Sequence, residues 1–380
     1  MARALGKNAR GFVLAPAGAD VGGLPAGMEV VPGDHPVPSV RGLASSRRIM
    51  TAVARLGEHE RLLYMISGGT SALFEVPCTG LVDADTIATY ELLLGCGAPI
   101  EEINVVRRRL SLVKGGGLAR AAYPARVLTL AVSDVDCDDQ ATIGSGPTVD
   151  VCDPSDAATA VLERHGLIGS VPAAVREAVL ARHDRPAGAG RDGGGPAIVD
   201  GYEVLASSGH AGSAAGAWLR SAGYALQAPP VARLRGDVEG AAVALAAGIR
   251  ALTAIGGTSA DPAFVVTGET TVRLPAGAGR GGRNLHLAAL LARELAGCAG
   301  FACMVGGTDG ADGSSGLAGA VVDGAVAARA RDAGHDLEVA LAGHATAEVL
   351  EAAGAAVATN PTGTNVGDLV VATASRRRQQ

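Results

Sequence analysis

Leu62-Leu63-Tyr64-Met65-Ile66 runs directly into Ser67-Gly68-Gly69-Thr70-Ser71. A short apolar run that stops at glycines and hydroxyls reads as a buried strand ending in a turn. The construction recurs four times. Val127 to Val132 leads to Ser133-Asp134-Val135-Asp136-Cys137-Asp138-Asp139, and Phe264 to Val266 leads to Thr267-Gly268-Glu269-Thr270-Thr271. Ala302 to Val305 leads to Gly306-Gly307-Thr308-Asp309-Gly310-Ala311-Asp312, and Ala356 to Ala358 leads to Thr362-Gly363-Thr364-Asn365. Open α/β sheets place ligands at the carboxyl ends of their strands. Glycine lets backbone amides approach an anion, and hydroxyls and carboxylates supply oxygen ligands for a cation. The repeated pattern therefore points to an α/β protein that handles phosphate.

Between these runs lie longer helical patterns. Phe12 to Leu14 and Tyr202 to Ala206 read as further strands. Helices are expected at Arg47 to Leu56, Ala84 to Leu94, Asp156 to His165, Pro172 to Arg182, Ala211 to Ala222 and Leu285 to Leu295. Another is expected from the N-cap Asp237 to about Ile255, and one from Ile103 to Leu118, broken at Gly115-Gly116-Gly117. Strands alternating with helices predict a largely parallel sheet rather than a sandwich. The glycine-rich stretch Pro186 to Pro196 suits a linker. It divides the chain into an N-terminal domain over 1–186, a linker over 187–196 and a C-terminal α/β domain over 197–375.

With 380 residues, 48% of them hydrophobic, the chain can bury substantial cores. It shows neither an 18-residue uncharged span nor an apolar signal core, so a cytoplasmic protein with no membrane partner is expected. A net charge of −6 argues against nucleic-acid binding, and Arg376-Arg377-Arg378 reads as a solvated tail. The six cysteines form no C-x-x-C pair and read as reduced thiols. Only Lys7 and Lys114 are lysines, and Lys114 stands among glycines. Trp218, on a helical pattern, is expected in the core, and His35, boxed by prolines, and His286, after the Gly282-Arg283-Asn284 turn, read either as site-lining or as structural loop histidines.

Ser67 to Ser71 could form an anion nest at a helix start, or simply a well-capped turn. Gly277-Ala278-Gly279-Arg280-Gly281-Gly282 matches G-x-G-x-x-G, but no acid follows at dinucleotide spacing. Arg280 and Arg283 beside that loop suit a phosphate or carboxylate better. No Walker A sequence is present, since neither lysine precedes Ser or Thr. The crowded Asp134, Asp136, Asp138 and Asp139, with Asp309 and Asp312 elsewhere, need a cation or amides to offset their repulsion. Turn chemistry is the competing explanation. Asp134 and Asp309, directly after strands, are the preferred metal candidates.

Taken in order, these cassettes resemble the glycerate 2-kinase family, whose C-terminal part is the MOFRL domain and whose members often carry the name hydroxypyruvate reductase. The matching segments are His35-Pro36-Val37-Pro38, Ile66 to Leu73, Ile103 to Arg107 with Leu110 to Gly116, Ser133-Asp134-Val135 with Asp138-Asp139, and Ser145-Gly146-Pro147-Thr148. In the C-terminal half they are Gly268 to Val272, Gly281-Gly282-Arg283-Asn284, Gly307 to Gly310 with Asp312-Gly313, and Pro361 to Val366 with Asp368-Leu369. The resemblance spans nearly the whole chain. It implies a Rossmann-like αβα domain with a mostly parallel sheet, a C-terminal MOFRL-type α/β domain, and an active site in the cleft between them. The implied activity is transfer of the γ-phosphoryl of ATP to the 2-hydroxyl of D-glycerate, giving 2-phosphoglycerate, with Mg²⁺. Lys114, Arg283 and Asp134 would be catalytic. Ser67, Gly68, Gly69, Thr70, Ser71, Arg107, Asn284, Thr308, Thr364 and Asn365 would bind substrate or phosphate, and Asp134 and Asp309 would hold the metal. A homodimer is admitted but not required.

The family usually opens with a strand and a Gly-Lys-Ala turn leading into a helix like Met1-Ala2-Arg3-Ala4-Leu5. On that resemblance the chain starts inside the first helix, and the family's lysine has no counterpart. Gly117 replaces a family arginine, Cys137 a glycine, and Leu285-His286 a Gln-Glu pair, so altered contacts are expected there. Two rivals remain: an NAD(P)H-dependent hydroxypyruvate reductase, and a metabolite-binding homologue impaired in catalysis.

Overall fold

The computed structural model of the chain describes residues 9–19, 21–181, 196–255, 260–275 and 277–375. The readings at Met1 to Leu5, Lys7 and Arg376 to Arg378, and all of the linker stretch except Pro196, lie outside the described residues. The backbone gathers into two units, one of residues 1–131 with 137–205 and the other of residues 132–136 with 206–380. Among the described residues no helix is long and apolar enough to cross a membrane.

In the first unit β1 (Gly11–Ala15) and β2 (Met28–Pro32) pair in parallel. Ser39 then caps α1 (Val40–Val53), its hydroxyl accepting from the Gly42 amide at 3.2 Å. The helix thus starts well before the expected Arg47. Ser45 and Ser46 are tolerated because their hydroxyls donate to the Arg41 and Gly42 carbonyls, at 3.1 and 2.9 Å, and so do not compete for the backbone. β3 (Arg61–Ile66), the single-turn α2 (Thr70–Leu73), α3 (Asp83–Gly95) and α4 (Ile100–Leu110) follow. α4 ends at Ser111 rather than at the glycines. Ser111 is extended, and its hydroxyl accepts from the amides of Val113 and Lys114, at 3.1 and 3.3 Å. Gly115 and Gly116 then turn the chain into α5 (Gly117–Ala121).

β4 (Arg126–Val132), α6 (Ala157–Arg164), α7 (Ala173–Leu180) and β5 (Ile198–Ala206) complete this unit. β3 and β4 run parallel, with Ile66 opposite Ala131, and the order β3-β4-β5 forms a sheet separate from β1-β2. Its buried clusters centre on Val113, Leu118 and Val127, and on Leu93, Val106 and Leu162.

The second unit contains α8 (Ser208–Ser221), β6 (Ala225–Leu226), α9 (Val238–Ala254), β7 (Pro262–Gly268), α10 (Arg283–Glu294) and β8 (Phe301–Gly307). It continues with β9 (Gly319–Val322), α11 (Val326–Asp332), α12 (Leu337–Ala342), α13 (Thr346–Ala352), β10 (Ala356–Val357) and β11 (Asp368–Ala374). Asp237 caps α9 as expected, accepting from Gly240 at 2.7 Å. Every residue from Asn284 to Ala292 of α10 is buried, which makes that helix the spine of the unit's core.

The fold class is as expected, α/β in both halves. Among the strand pairs whose register is defined, β1–β2, β3–β4 and β6–β7 are parallel. In the six-stranded sheet, ordered β10-β9-β8-β11-β7-β6, the other four pairings are antiparallel. β7, α10 and β8 do form a βαβ unit, but β11 inserts between the two strands and runs against both. Asp368, the first residue of β11, therefore stands opposite Gly268 and Gly307, the last residues of β7 and β8. Three glycine- and acid-rich turns consequently meet at one end of this sheet. Trp218 is 67% exposed rather than core. α8 presents Gly212, Gly216 and Leu219 to the sheet, where an added Cβ would touch Thr267 or Leu226, and Trp218 lies off that stripe.

Candidate active site

Each unit carries a polar centre. In the first, Gly69 holds φ +79 between β3 and α2, and a Cβ there would come within 3.2 Å of the His35 ring. The Gly68 and Gly69 amides reach no acceptor among the described residues. The Thr70 hydroxyl donates to the Ser67 carbonyl at 2.7 Å, which braces the turn. Ser71 pairs with Ser145 at 2.9 Å, and the Ser145 hydroxyl donates to Asn104 at 2.8 Å. That chain of contacts ties the turn to α4, where Arg107 stands one turn after Asn104.

Arg107 is 3% exposed. Its guanidinium lies 4.7 Å from the Tyr90 ring, and its Nε is buried without a partner. A buried cation with donors to spare is suited to an anion. Lys114 has a different occupation from the one expected. Its side chain is wholly buried, and its ammonium is held by the Glu75 carboxylate and, at 3.2 Å, by the Phe74 carbonyl. Tyr90 donates to the same Glu75. Burial lowers the proton affinity of Lys114, and Glu75 works in the other direction. Its ammonium is thus engaged in an internal ion pair close to the Tyr90 ring.

In the second unit Arg283, the first residue of α10, forms two bonds to Asp368, at 2.7 and 3.0 Å, and reaches Glu269 at 2.8 Å. Burial opposes its charge, but the bonds to Asp368 together with the charges of Asp368, Glu269 and Asp312 outweigh that and raise its proton affinity. Asn284 donates to Asp368 at 2.9 Å. Glu269 is shifted the opposite way to a typical ion-paired acid. Burial raises its pKa against the pull of Arg283, and Asp368, Asp134 and Asp309 add to the rise. Asp134 arrives here because residues 132–136 belong to this unit. Three carboxylates and one guanidinium are thus close enough to act on the charge of Glu269.

Thr308 and Asn365 serve the frame. The Thr308 hydroxyl donates to the Gly367 carbonyl at 2.7 Å and accepts from the Val366 amide at 2.9 Å. The Asn365 carboxamide oxygen accepts from the Gly367 amide at 2.9 Å. Thr364 is exposed beside them. Arg280, read beside Arg283 as a phosphate ligand, turns instead to Glu348 and Glu351 of α13.

The glycine fingerprint also has another role. Asp312 accepts from the Asn284 and Leu285 amides, at 3.0 and 2.8 Å, so a carboxylate already caps the start of α10. A Cβ on Gly282 would lie 2.3 Å from the Asp312 carboxyl carbon. The loop's glycine admits an internal acid where a dinucleotide fingerprint would admit a pyrophosphate.

Sequence reasoning left out Glu269, Asp368, Glu75 and Tyr90. Glu75 was visible as a lone acid in the apolar stretch Leu73-Phe74-Glu75-Val76, and Asp368 as an acid heading an apolar strand. Among the described residues no three His, Cys, Asp or Glu side chains form a preassembled metal cage.

The model of a domain of unknown function (DUF4147) matches residues 1–180, and that of the MOFRL family matches residues 262–368. A D-glycerate 2-kinase of Thermotoga maritima is 33% identical over 90% of this chain and 79% of its own length. The chain belongs to the glycerate 2-kinase family. The crystal structure of a T. maritima glycerate kinase superposes with a TM-score of 0.83 at 31% identity, covering 96% of this chain and 85% of that one. An Agrobacterium vitis protein provisionally named hydroxypyruvate reductase is 39% identical over 91% of this chain and 77% of its own length. The family is thus the one that the cassettes resemble.

Proposed function

We propose that the chain is an ATP-dependent glycerate 2-kinase that phosphorylates the 2-hydroxyl of D-glycerate. Family membership supports this reading. The observation that carries it is Arg283, fixed by Asp368 and Glu269 at the head of a buried helix among carboxylates. Phosphoryl transfer asks a protein mainly for positioning and charge neutralisation. Arg283 would bear on the equatorial oxygens of the transferred group, its orientation held by the two-point contact with Asp368. The Gly68 and Gly69 amides and Arg107 would take anionic groups of substrate or nucleotide. Asp134 would orient the acceptor hydroxyl, and Asn284 would keep Asp368 in place.

Asp134 and Asp309 are the residues that would hold Mg²⁺. A shortage of positive charge around Glu269 fits them to it, because Mg²⁺ takes one or two carboxylates and completes its shell with phosphate oxygens and water. The ion would neutralise charge on the nucleotide phosphates.

The reductase reading fits less well, because Asp312 fills the anion position at α10. The test is direct. Purified protein with D-glycerate, ATP and Mg²⁺ should form 2-phosphoglycerate, resolved from 3-phosphoglycerate by ³¹P NMR. Arg283→Ala should lower kcat/KM more than tenfold, as expected for loss of a charge-assisted contact of about 1.5–3 kcal/mol. NADH oxidation by hydroxypyruvate without ATP turnover would overturn the proposal. Nucleotide or glycerate binding without turnover would support the non-catalytic reading.

A further inference from the structure

Beside Arg283 the second unit holds a pocket of about 430 Å³. That lies within the range of roughly 300–1,000 Å³ typical of sites for drug-sized ligands, more room than a three-carbon acid needs. Its far side has a different character from the acidic cluster. Val272, Leu274 and Ala278 give it apolar surface, and the imidazoles of His286 and His344 stack in it at 4.5 Å with their planes 15° apart. Three residues that line the pocket each carry a polar atom buried without a partner: Thr270 Oγ1, His286 Nδ1 and His344 Nδ1. Thr270 and His286 are only 2% and 4% exposed, so water does not readily satisfy them. Buried polar atoms are nearly always hydrogen-bonded, and three orphans around one cavity mark a missing partner.

The chemistry of that partner can be narrowed. Burial, followed by the neighbouring His344, pushes the His286 pKa down to about 4, so this imidazole is neutral at pH 7. The carboxylates of Glu269 and Asp312 also line the pocket, and the guanidinium of Arg283 is already engaged by Asp368 and Glu269. An anionic group gains nothing at the histidine end. An uncharged, flat heterocycle with donor and acceptor atoms on its edge suits a lining that joins apolar surface to polar side chains short of partners.

We propose that the His286–His344 pocket is the nucleobase subsite and holds the uncharged end of the nucleotide, with the phosphates directed toward Arg283. This inference rests on the kinase reading for the identity of the ligand. The neutral His286 imidazole can present a donor or an acceptor, which suits a base edge that carries both, as a 6-aminopurine does.

The experiment pairs kinetics with direct binding. His286→Phe keeps the ring stack and removes Nδ1, and Thr270→Val removes the hydroxyl at nearly constant shape. Each variant should raise the KM for ATP about tenfold or more and leave the KM for glycerate within error, since one buried hydrogen bond to the base is lost. Adenosine, which carries no phosphate, should bind the wild type by calorimetry and should lose that binding in His286→Phe. Unchanged ATP KM and unchanged adenosine binding in folded variants would overturn the subsite and leave the kinase reading intact. Adenosine binding that depends on His286 in a protein that phosphorylates no glycerate would support the subsite while the kinase reading failed.

Discussion

Single residues set the chemistry through what they are bonded to. Lys114 and Glu75 form an ion pair with side chains 0% and 1% exposed. Lys114→Met would leave Glu75 charged and buried without its cation, and breaking such a pair typically costs about 3–5 kcal/mol. Chemical denaturation should show that loss. Native stability accompanied by a collapse in kcat would instead restore the lysine to catalysis. His286 makes a pH prediction. Its pKa is depressed in the folded state, from an ordinary 6.5 to about 4, so the unfolded chain binds more protons between those values. Its contribution to stability is therefore present above pH 6.5 and lost as pH falls toward 4. His286→Phe should flatten that limb of a plot of Tm against pH. Arg107, read as an anion ligand from its place after Ile103-Asn104, proved buried and underused by the protein itself. Lys114 was singled out by its rarity and by its place in the Leu110 to Gly116 match, and its buried partner Glu75 is what only the fold adds.

Elements were legible where period and punctuation agreed. Asp237 announced α9, and the structure places its carboxylate on the Gly240 amide. Asp237→Ala should cost about 0.5–2 kcal/mol, measured as a lowered denaturation midpoint. α1 was read as starting too late because Ser45 and Ser46 look like a loop, and only the folded helix shows where their two hydroxyls bond. α4 was read too long because glycines are the louder breakers, whereas the single side chain of Ser111 ends it. The place of β11 had no local signal at all. Its pairing partners lie about 60 and 100 residues earlier in the chain, and such a choice is made by packing, not by propensity. The acidic cluster depends on that choice, since it brings Asp368 to Arg283. Asp312 belongs to this scale too. Asp312→Ala should uncap α10 and expose two buried amides, lowering stability by more than an exposed cap does.

At the scale of the molecule the cores are separate. One large cluster lies wholly in the second unit, around Leu245, Leu287 and Val305, and two smaller ones lie in the first. Such a chain need not melt as one cooperative block. Leu287→Ala should shift one calorimetric transition downward, by about 2–5 kcal/mol in the second unit, and leave the transition of the first unit in place. A single transition moving as a whole would show that the units are coupled. The first unit has a further property. Among the described residues its strands fall into two sheets, which present four border strands where one continuous sheet would present two. β2, β3 and β5 carry Glu29, Arg61, and Asp200 with Glu203, the kind of charge that keeps foreign chains from zipping on. β1, Gly11-Phe12-Val13-Leu14-Ala15, carries none. Concentrated solutions should therefore self-associate through this five-residue ribbon first, and a lysine in place of Val13 should keep them clear.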